Sequence, residues 1–358
     1  MKKIVLTGGG TAGHVTPNIA LLPALQAAGY EIAYVGSYEG IEKKLIADFN
    51  IPYTGISTGK FRRYLDPKNF SDPFRVMKGF VEARNYLKNY QPDVVFSKGG
   101  FVSVPVVRAA ASLHIPCIIH ESDMTPGLAN KLCIPVAEKV GCNFPETMKN
   151  IPADKAVLTG SPIRAELAEG SKLAGLNMCG FTANKPVIMV IGGSLGAANV
   201  NKAVRDALPK LLEDFQVVHL CGKDKIDNLL LNTPGYKQFE YIKAELKDIF
   251  AMADIVISRA GANAICELLA LKKPNILIPL PAASSRGDQL LNAASFEAQG
   301  YSIVLNEDDI TTNLLVDKVH ELYFNRQNYV DAMSKSHQMD AVKTIMELIN
   351  AAAEKKTN

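Results

Sequence analysis

The sequence predicts an α/β protein made of two doubly wound, Rossmann-like domains. Two stretches follow one plan: a short apolar run, a glycine-rich turn, then a helical pattern of apolar residues. The first starts at Lys2 and turns through 8–13, and the second starts at Pro186 and turns through 192–196. A length of 358 residues also favours two domains, at roughly 150 residues each. Repetition of strand, glycine turn and helix is typical of paired doubly wound domains, which we expect to face each other across a cleft.

Short apolar segments alternate with amphipathic patterns along the rest of the chain. Segments of this kind are typical of parallel strands that are buried on both faces. In the first half we predict strands over 31–35, 52–56, 93–96, 116–120 and 139–142. In the second half we predict strands over 216–220, 237–241, 254–257, 275–278 and 302–305. The stretch 312–353 is predicted to be helical.

A cluster of small and turn-forming residues at 159–162 predicts the domain junction, because such a cluster disfavours the interior of a helix or strand. We therefore expect an N-terminal domain over 1–163 and a C-terminal domain over 164–337. The last helix, at about 338–358, is expected to pack back on the first domain.

The composition indicates a soluble globular enzyme, with 47% apolar and 21% charged residues. No apolar run approaches the ~18 residues that a membrane span needs. The apolar run after the basic start is only Ile4 to Leu6, too short for a signal peptide, so we expect a cytoplasmic location. The six cysteines form no CxxC pair and no zinc-like spacing, which favours buried small apolar side chains.

Positive charge is concentrated in the first half of the chain. Lys and Arg outnumber Asp and Glu by 18 to 13 in residues 1–163, a net charge of +5, whereas the remainder carries −2. This distribution does not indicate a nucleic-acid-binding protein, but it suits an anionic surface. Basic and apolar side chains interleave over 60–88, which suits peripheral membrane binding. The alternative is a helix with a buried apolar side and solvated charges.

The first glycine turn satisfies the GxGxxG pattern through Gly8, Gly10 and Gly13. A turn of this kind lets backbone N–H groups approach a phosphate or sugar at a helix start. An NAD-binding oxidoreductase is the obvious alternative, but it requires an acid at the end of the second strand. Here Glu31 begins that strand and no carboxylate ends it. His14 directly follows the glycines and is a candidate general base or sugar contact.

The second half has two further candidate sites. After the strand ending at Ile257, small residues open a helix whose N-terminus suits a diphosphate, and Glu267 lies one turn inside it, where it can accept hydrogen bonds from ribose hydroxyls. Polar residues at 286–292 start another helix and suit sugar hydroxyls. Ordinary strand-to-helix turns with solvated side chains are the structural alternative.

Taken together, these segments resemble the MurG family of inverting glycosyltransferases, which have the two-domain GT-B fold. The matching segments, in the family's order, are GGGTAGHVTP (8–17), GGFVSVP (99–105), HE (120–121), GSPIR (160–164), GGSLG (192–196), RAGA (259–262) and DQLLN (288–292). Three departures are Ala12 for a usual glycine, Phe101 for a common tyrosine and Asp123 for a common asparagine. The set covers most of the chain.

The resemblance implies transfer of N-acetylglucosamine from UDP-N-acetylglucosamine to the muramoyl sugar of a polyprenyl-diphosphate-linked peptidoglycan precursor, from lipid I to lipid II. It implies no cofactor and a peripheral place on the cytoplasmic face of the cell membrane, with the N-terminal domain meeting the acceptor and the membrane and the C-terminal domain binding the UDP-sugar. The sequence has no DxD-type carboxylate pair for a diphosphate-bound metal, so we expect no metal. His14 and Glu121 are the implied catalytic residues that face the acceptor. The implied donor-binding residues are Thr11, Ala12, Gly13, Arg164, Ser194, Ile242, Ala262, Asn263, Glu267 and Gln289. Another GT-B glycosyltransferase with a different lipid or small-molecule acceptor, or a non-catalytic binding protein, remains open.

Overall fold

The computed structural model describes residues 2–59, 68–193, 196–282, 287–336 and 340–357. The chain forms two compact units: Met1–Arg164 together with Asp340–Asn358, and Ala165–Met339. Each unit is a parallel β-sheet with helices between its strands, as the sequence predicts. No helix in the described ranges is long and apolar enough to cross a membrane.

The strands and helices have the following bounds. The strands are β1 (Lys3–Thr7), β2 (Glu31–Ser37), β3 (Tyr53–Ile56), β4 (Val94–Ser97), β5 (Cys117–Glu121), β6 (Lys139–Cys142), β7 (Ala156–Leu158), β8 (Val187–Ile191), β9 (Gln216–Leu220), β10 (Tyr236–Phe239), β11 (Ile255–Ser258), β12 (Asn275–Leu277) and β13 (Ser302–Val304). The helices are α1 (Thr16–Ala27), α2 (Ile41–Ile46), α3 (Lys68–Tyr90), α4 (Ser103–Ser112), α5 (Leu128–Cys133), α6 (Pro145–Met148), α7 (Lys172–Cys179), α8 (Ala198–Asp214), α9 (Leu246–Met252), α10 (Ala262–Ala270), α11 (Asp288–Ala298), α12 (Thr312–Phe324), α13 (Arg326–Ser334) and α14 (Ala341–Thr357).

The first unit has a seven-stranded sheet in the order β3-β2-β1-β4-β5-β6-β7. Successive residues of β1 alternate between two cores, because side chains of a strand point to opposite faces. Val5 joins the core formed with α4, whereas Ile4 and Leu6 join the core on the other face. Burial on both faces explains why the strands are continuous apolar runs. The short strand β7 was not predicted, since its residues are only partly buried.

Helix α14 packs on the first unit, against the face of the sheet that also carries α1. Its apolar residues Ile345, Ile349 and Ala353 recur every four positions and enter the core that contains Ile4 and Leu6. This spacing places them on one stripe of the helix. The helical stretch predicted over 312–353 is therefore several helices, since α12 and α13 belong to the second unit and α14 to the first.

The second unit has a six-stranded sheet in the order β10-β9-β8-β11-β12-β13. Helix α8 presents Val200, Val204 and Leu208 to one face of this sheet, and α12 covers the same face with Leu315 and Val319. The Thr311 side chain caps α12 by accepting a hydrogen bond from the Leu314 N–H at 3.2 Å. All six cysteines of the chain are buried, as predicted.

Helix α3 divides its apolar residues between the core and the surface. Ala83 and Leu87 are buried, and Phe80 packs against the same core. In contrast, Phe74 and Met77 are 79% and 65% exposed. Phe80 is therefore not part of the surface predicted to meet a membrane, because it packs against the core of the first unit. Residues 60–67 of the same prediction lie outside the described residues.

Candidate active site

The topology of the first sheet marks where a ligand site is expected. The chain runs from β1 outward to β3, then returns to β4 beside β1 and runs outward the other way. Loops that leave β1 and β4 therefore diverge and open a crevice at the carboxyl edge of the sheet. The loop after β1 carries the glycine turn 8–13, and the loop after β4 carries Gly99 and Gly100. The same arrangement recurs in the second sheet between β8 and β11.

Gly8 and Gly10 of the glycine turn occupy positions where a side chain would clash with neighbouring atoms. Gly8 and Gly10 have φ of +154° and +84°, and the left-handed region around +84° favours glycine. A Cβ atom on Gly8 would lie 2.5 Å from the His14 carbonyl oxygen, and one on Gly10 would lie 2.4 Å from the Phe101 ring. The turn therefore folds against its own end and against the loop after β4. Phe101, where the resemblance has a tyrosine, supplies an apolar wall.

His14 ends a short 3₁₀ helix over Ala12–His14, directly after the glycine turn. Its Nδ1 lies 3.0 Å from the Thr11 hydroxyl oxygen. A Cβ on Gly100 would lie 3.1 Å from the same nitrogen, so the imidazole lies against the backbone of the loop after β4. The imidazole is thereby held at the crevice and is half-buried. Thr11, Ala12, Gly13 and His14 are brought together within one turn.

Glu121 ends β5, the strand beyond β4, and is 4% exposed. One oxygen accepts the Asp123 N–H at 2.9 Å. The other accepts the Gly127 N–H at 3.1 Å and the Asn130 side-chain amide at 2.8 Å. The carboxylate is therefore engaged in shaping the loop between β5 and α5. A general base must reach the substrate, and these contacts favour His14 over Glu121 for that role.

A buried lysine, Lys98, follows β4 and is not part of any motif predicted from the sequence. It is 1% exposed, and its Nζ lies 2.7 Å from Nδ1 of the fully buried His120. The other imidazole nitrogen lies 2.8 Å from the Gly160 carbonyl oxygen. Burial and the nearby Lys98 charge hold the pKa of His120 well below its usual range. A neutral His120 accepts from Lys98 and donates to Gly160. The feature of the sequence that could have revealed Lys98 is a charged residue placed between an apolar strand and two glycines.

In the second unit, the candidate donor residues gather at the start of α10. Gly261 is the N-cap, and Ala262, Asn263 and Glu267 are half-buried. The first turn of a helix presents unpaired N–H groups and a positive partial charge, which suit a diphosphate. Glu267 lies one turn further along the same helix.

Helix α11 supports this region through two side-chain amides. The Gln289 side-chain oxygen accepts the Leu280 N–H at 3.1 Å. Asn292 is buried and donates to the Ala260 carbonyl at 3.1 Å, which ties α11 to the loop after β11. Gln289 thus also holds the loop that follows β12.

The remaining predicted residues are more dispersed. Ile242 is 5% exposed in the loop after β10, and Arg164 is the half-buried last residue of the first segment. Ser194 and Arg286 lie outside the described residues. In the described ranges, no three His, Cys, Asp or Glu side chains are grouped as a metal site would need.

Sequence profiles and relatives identify the family. Residues 4–142 match the Glycosyltransferase family 28 N-terminal domain and 187–349 match the Glycosyltransferase family 28 C-terminal domain. A protein of Lachnospira eligens is 65% identical over 98% of this chain and 99% of its own. One of Lachnoclostridium phytofermentans is 64% identical over 98% of each chain. Both are named UDP-N-acetylglucosamine--N-acetylmuramyl-(pentapeptide) pyrophosphoryl-undecaprenol N-acetylglucosamine transferase.

A solved structure agrees with this match. The crystal structure of MurG from Acinetobacter baumannii covers 98% of this chain and 100% of its own, with 28% identity and a TM-score of 0.77. The fold is therefore GT-B, and the NAD-binding oxidoreductase considered from the glycine turn is excluded. The chain belongs to glycosyltransferase family 28 and, within it, to the MurG family of N-acetylglucosamine transferases.

Proposed function

We propose that this chain transfers N-acetylglucosamine from UDP-N-acetylglucosamine to the muramoyl sugar of an undecaprenyl-diphosphate-linked peptidoglycan precursor, converting lipid I to lipid II with inversion at the anomeric carbon. The observation that carries this proposal is the identity of 65% over nearly the whole of both chains to a relative with that named activity. Because the identity is high over the full length of both chains, it supports the same acceptor as that of the relative.

The first unit is proposed to bind the acceptor, with His14 as the general base. A direct displacement needs a base that removes the proton of the attacking hydroxyl. If the Nδ1–H of His14 donates to the Thr11 oxygen 3.0 Å away, Nε2 is the basic nitrogen. Glu121 is proposed to act through the loop that its carboxylate holds between β5 and α5.

The second unit is proposed to bind the donor. The start of α10, at Ala262 and Asn263, stabilises the diphosphate as UDP departs. Glu267 accepts hydrogen bonds from ribose hydroxyls, and Gln289 contacts the N-acetylglucosamine. Ile242 is proposed to contact uracil through its backbone. We also propose that Thr11, Ala12 and Gly13 approach the donor sugar. Arg164 and Ser194 are proposed to contact the diphosphate region.

The exposed face of α3 is proposed to dock the enzyme on the anionic cytoplasmic face of the membrane, where the lipid-linked acceptor resides. Phe74, Met77 and Val81 are spaced three and four residues apart and are at least half exposed. Arg75 and Lys78 flank them and are also exposed. Exposed apolar side chains beside basic ones suit the boundary between headgroups and acyl chains.

The test is release of UDP by the full chain in detergent micelles, with and without lipid I. We expect UDP release that depends on lipid I and yields lipid II with a β-linked sugar. The control acceptor is the same lipid diphosphate that already carries N-acetylglucosamine. Transfer to unrelated glycolipids or phenolic acceptors at rates equal to lipid I would contradict the proposed acceptor. An absence of UDP release with every acceptor would contradict the transferase assignment.

A further inference from the structure

Glu42 carries a buried carboxylate that lies outside the predicted motifs and has no role in the proposed mechanism. It lies in the first turn of α2 and is fully buried. One of its oxygens accepts the Ser37 N–H at 2.9 Å and also the Ser37 hydroxyl. The other accepts the Gly10 N–H at 3.2 Å. The carboxylate therefore joins the end of β2 to the centre of the glycine turn.

Three glycines make room for this carboxyl group. A Cβ on Gly9 would lie 2.6 Å from its carboxyl carbon, and one on Gly40 would lie 2.1 Å from a carboxyl oxygen. A Cβ on Gly36 would lie 2.8 Å from the Cγ of Glu42. Real Cβ atoms do not approach other atoms this closely, so backbone from three segments packs directly around Glu42. Such packing limits the positions that its two oxygens can take.

We propose that Glu42 is a positioning residue for the transfer reaction, holding the glycine turn so that Thr11 and His14 lie in reactive geometry. The inference rests on the proposed function of His14. Gly10 immediately precedes Thr11, and Thr11 contacts His14 at 3.0 Å. A hydrogen bond between a carboxylate and a backbone N–H is stronger than a neutral one, so this contact can fix the turn. It also occupies the Gly10 N–H, which a phosphate-binding turn would present to its ligand.

The geometry makes the isosteric variant Glu42→Gln informative. A glutamine offers one acceptor oxygen and one NH₂ donor, so it cannot accept from both Ser37 and Gly10. We expect kcat to fall by about tenfold to a hundredfold, the scale produced by ~1 Å displacement of a reacting group. The dissociation constant for UDP should stay within about twofold, since the residues assigned to UDP lie outside the glycine turn. The matched control is Glu39→Gln, at an exposed glutamate nearby, which should keep wild-type kcat.

A double-mutant cycle separates positioning from general stability. Gly9 lacks a positive φ, and the three atoms nearest a Cβ there all belong to the Glu42 carboxyl group. Gly9→Ala should therefore act by displacing that carboxyl group. We expect Gly9→Ala to lower kcat in the wild-type background and to change it little in a Glu42→Ala background. Independent, multiplying losses would overturn the proposal. If Glu42→Gln does not fold, the effect of Gly9→Ala on kcat still tests whether displacing the Glu42 carboxyl group impairs the reaction.

Hydrogen exchange tests the same contact without relying on activity. The peptide covering residues 8–15 should exchange faster in Glu42→Gln than in wild type or Glu39→Gln. Faster exchange with unchanged kcat would overturn the positioning role while leaving the proposed function intact. Wild-type enzyme that releases no UDP with lipid I would instead contradict the proposed function. Unchanged exchange and unchanged kcat together would show that Glu42 does not hold the turn.

Discussion

The guanidinium of Arg259 and the carboxylate of Glu307 form an ion pair in which the side chains are only 10% and 9% exposed. Arg259 also donates to the Ile278 carbonyl at 3.0 Å, and Glu307 accepts from the Asn199 side chain at 2.5 Å. The pair thus links the loop after β11, the end of β12 and the start of α8. These segments meet at the carboxyl edge of the second sheet, where the donor is proposed to bind.

Glu307→Gln should weaken both the stability of the second unit and donor binding. Removing one partner of a buried ion pair typically costs about 3–5 kcal/mol, because the other charge stays buried. We expect the free energy of unfolding to fall by ~2–4 kcal/mol, since glutamine keeps some hydrogen bonds, and the donor KM to rise. Chemical denaturation and donor titration measure the two effects. Asp308→Asn, at the exposed neighbouring residue, is the control. Wild-type stability of Glu307→Gln would show that the pair contributes little.

Glu267→Ala should raise the donor KM by about tenfold to a hundredfold, because ribose hydroxyls lose a charged acceptor worth ~1.5–3 kcal/mol. Donor titration at saturating acceptor measures this change. Glu297→Ala, at an exposed glutamate on α11, is the control and should leave KM unchanged. An unchanged donor KM for Glu267→Ala would remove the ribose assignment.

His14→Ala should lower kcat by about 10²–10⁴-fold if His14 is the general base. Affinity for UDP should be retained. Thr11→Val should have a smaller effect, because it removes only the hydroxyl 3.0 Å from Nδ1. The measurement is steady-state kcat with both substrates saturating. A loss under tenfold for His14→Ala would assign it a positioning role and return attention to Glu121.

Changing Arg75, Lys78 and Arg84 together to Glu should reduce binding to anionic vesicles while UDP binding stays normal. Each basic residue near an anionic surface contributes about 1 kcal/mol. Salt should release the wild type only partly, because the screening length falls to ~3 Å at 1 M whereas apolar contacts persist. Phe74→Ser with Met77→Ser should remove the salt-resistant part. Vesicle sedimentation is the measurement.

The control for the membrane prediction has the same charge change elsewhere on the first unit. Lys44, Lys131 and Lys149 are exposed and lie outside α3. Changing these three to Glu should reduce sedimentation less than the α3 variant does. Equal binding by the α3 variant and wild type would indicate that α3 presents only a solvated surface and that the acceptor is met elsewhere.

The stability of the second unit should fall as pH decreases below about 6.5, the usual pKa of histidine. Burial, with a smaller effect of Arg205, lowers the pKa of His219 to about 3. Between these values the unfolded chain binds a proton that the folded chain does not, so stability is present above pH 6.5 and is lost towards pH 3. One such proton gives a slope of ~1.4 kcal/mol per pH unit.

Urea denaturation at several pH values between 7 and 4 measures this dependence. His219→Gln should reduce the slope, since glutamine does not titrate and can still contact Tyr236 or Asn201. His114→Gln, at an exposed histidine of the first unit, should leave the slope as in wild type. A slope in His219→Gln equal to that of wild type would contradict the assignment to His219.

Much of the fold could be predicted because buried parallel strands appear in the sequence as short, continuous apolar runs. The predicted strands at 139–142 and 216–220 coincide with β6 and β9, and the others overlap observed strands within a few residues. The strand β7 escaped because it is short and only partly buried, so its apolar signal is weak. For α3, periodicity could not assign Phe80 to the core and Phe74 to the surface, since that choice depends on the sheet beneath.

The sequence by itself determined two parallel-sheet units, the glycine turns that follow β1 and β8, and the motifs that identify the family. These features depend on residues close in the chain, where apolar runs, glycine and helix starts act locally. The tertiary structure alone decided which polar groups support those turns. Glu42 and Gly10 are 32 residues apart, Lys98 and His120 are 22 apart, and Asn199 and Glu307 are 108 apart. Such contacts form only when separate strands pair and bury their side chains, so no local sequence pattern predicts them.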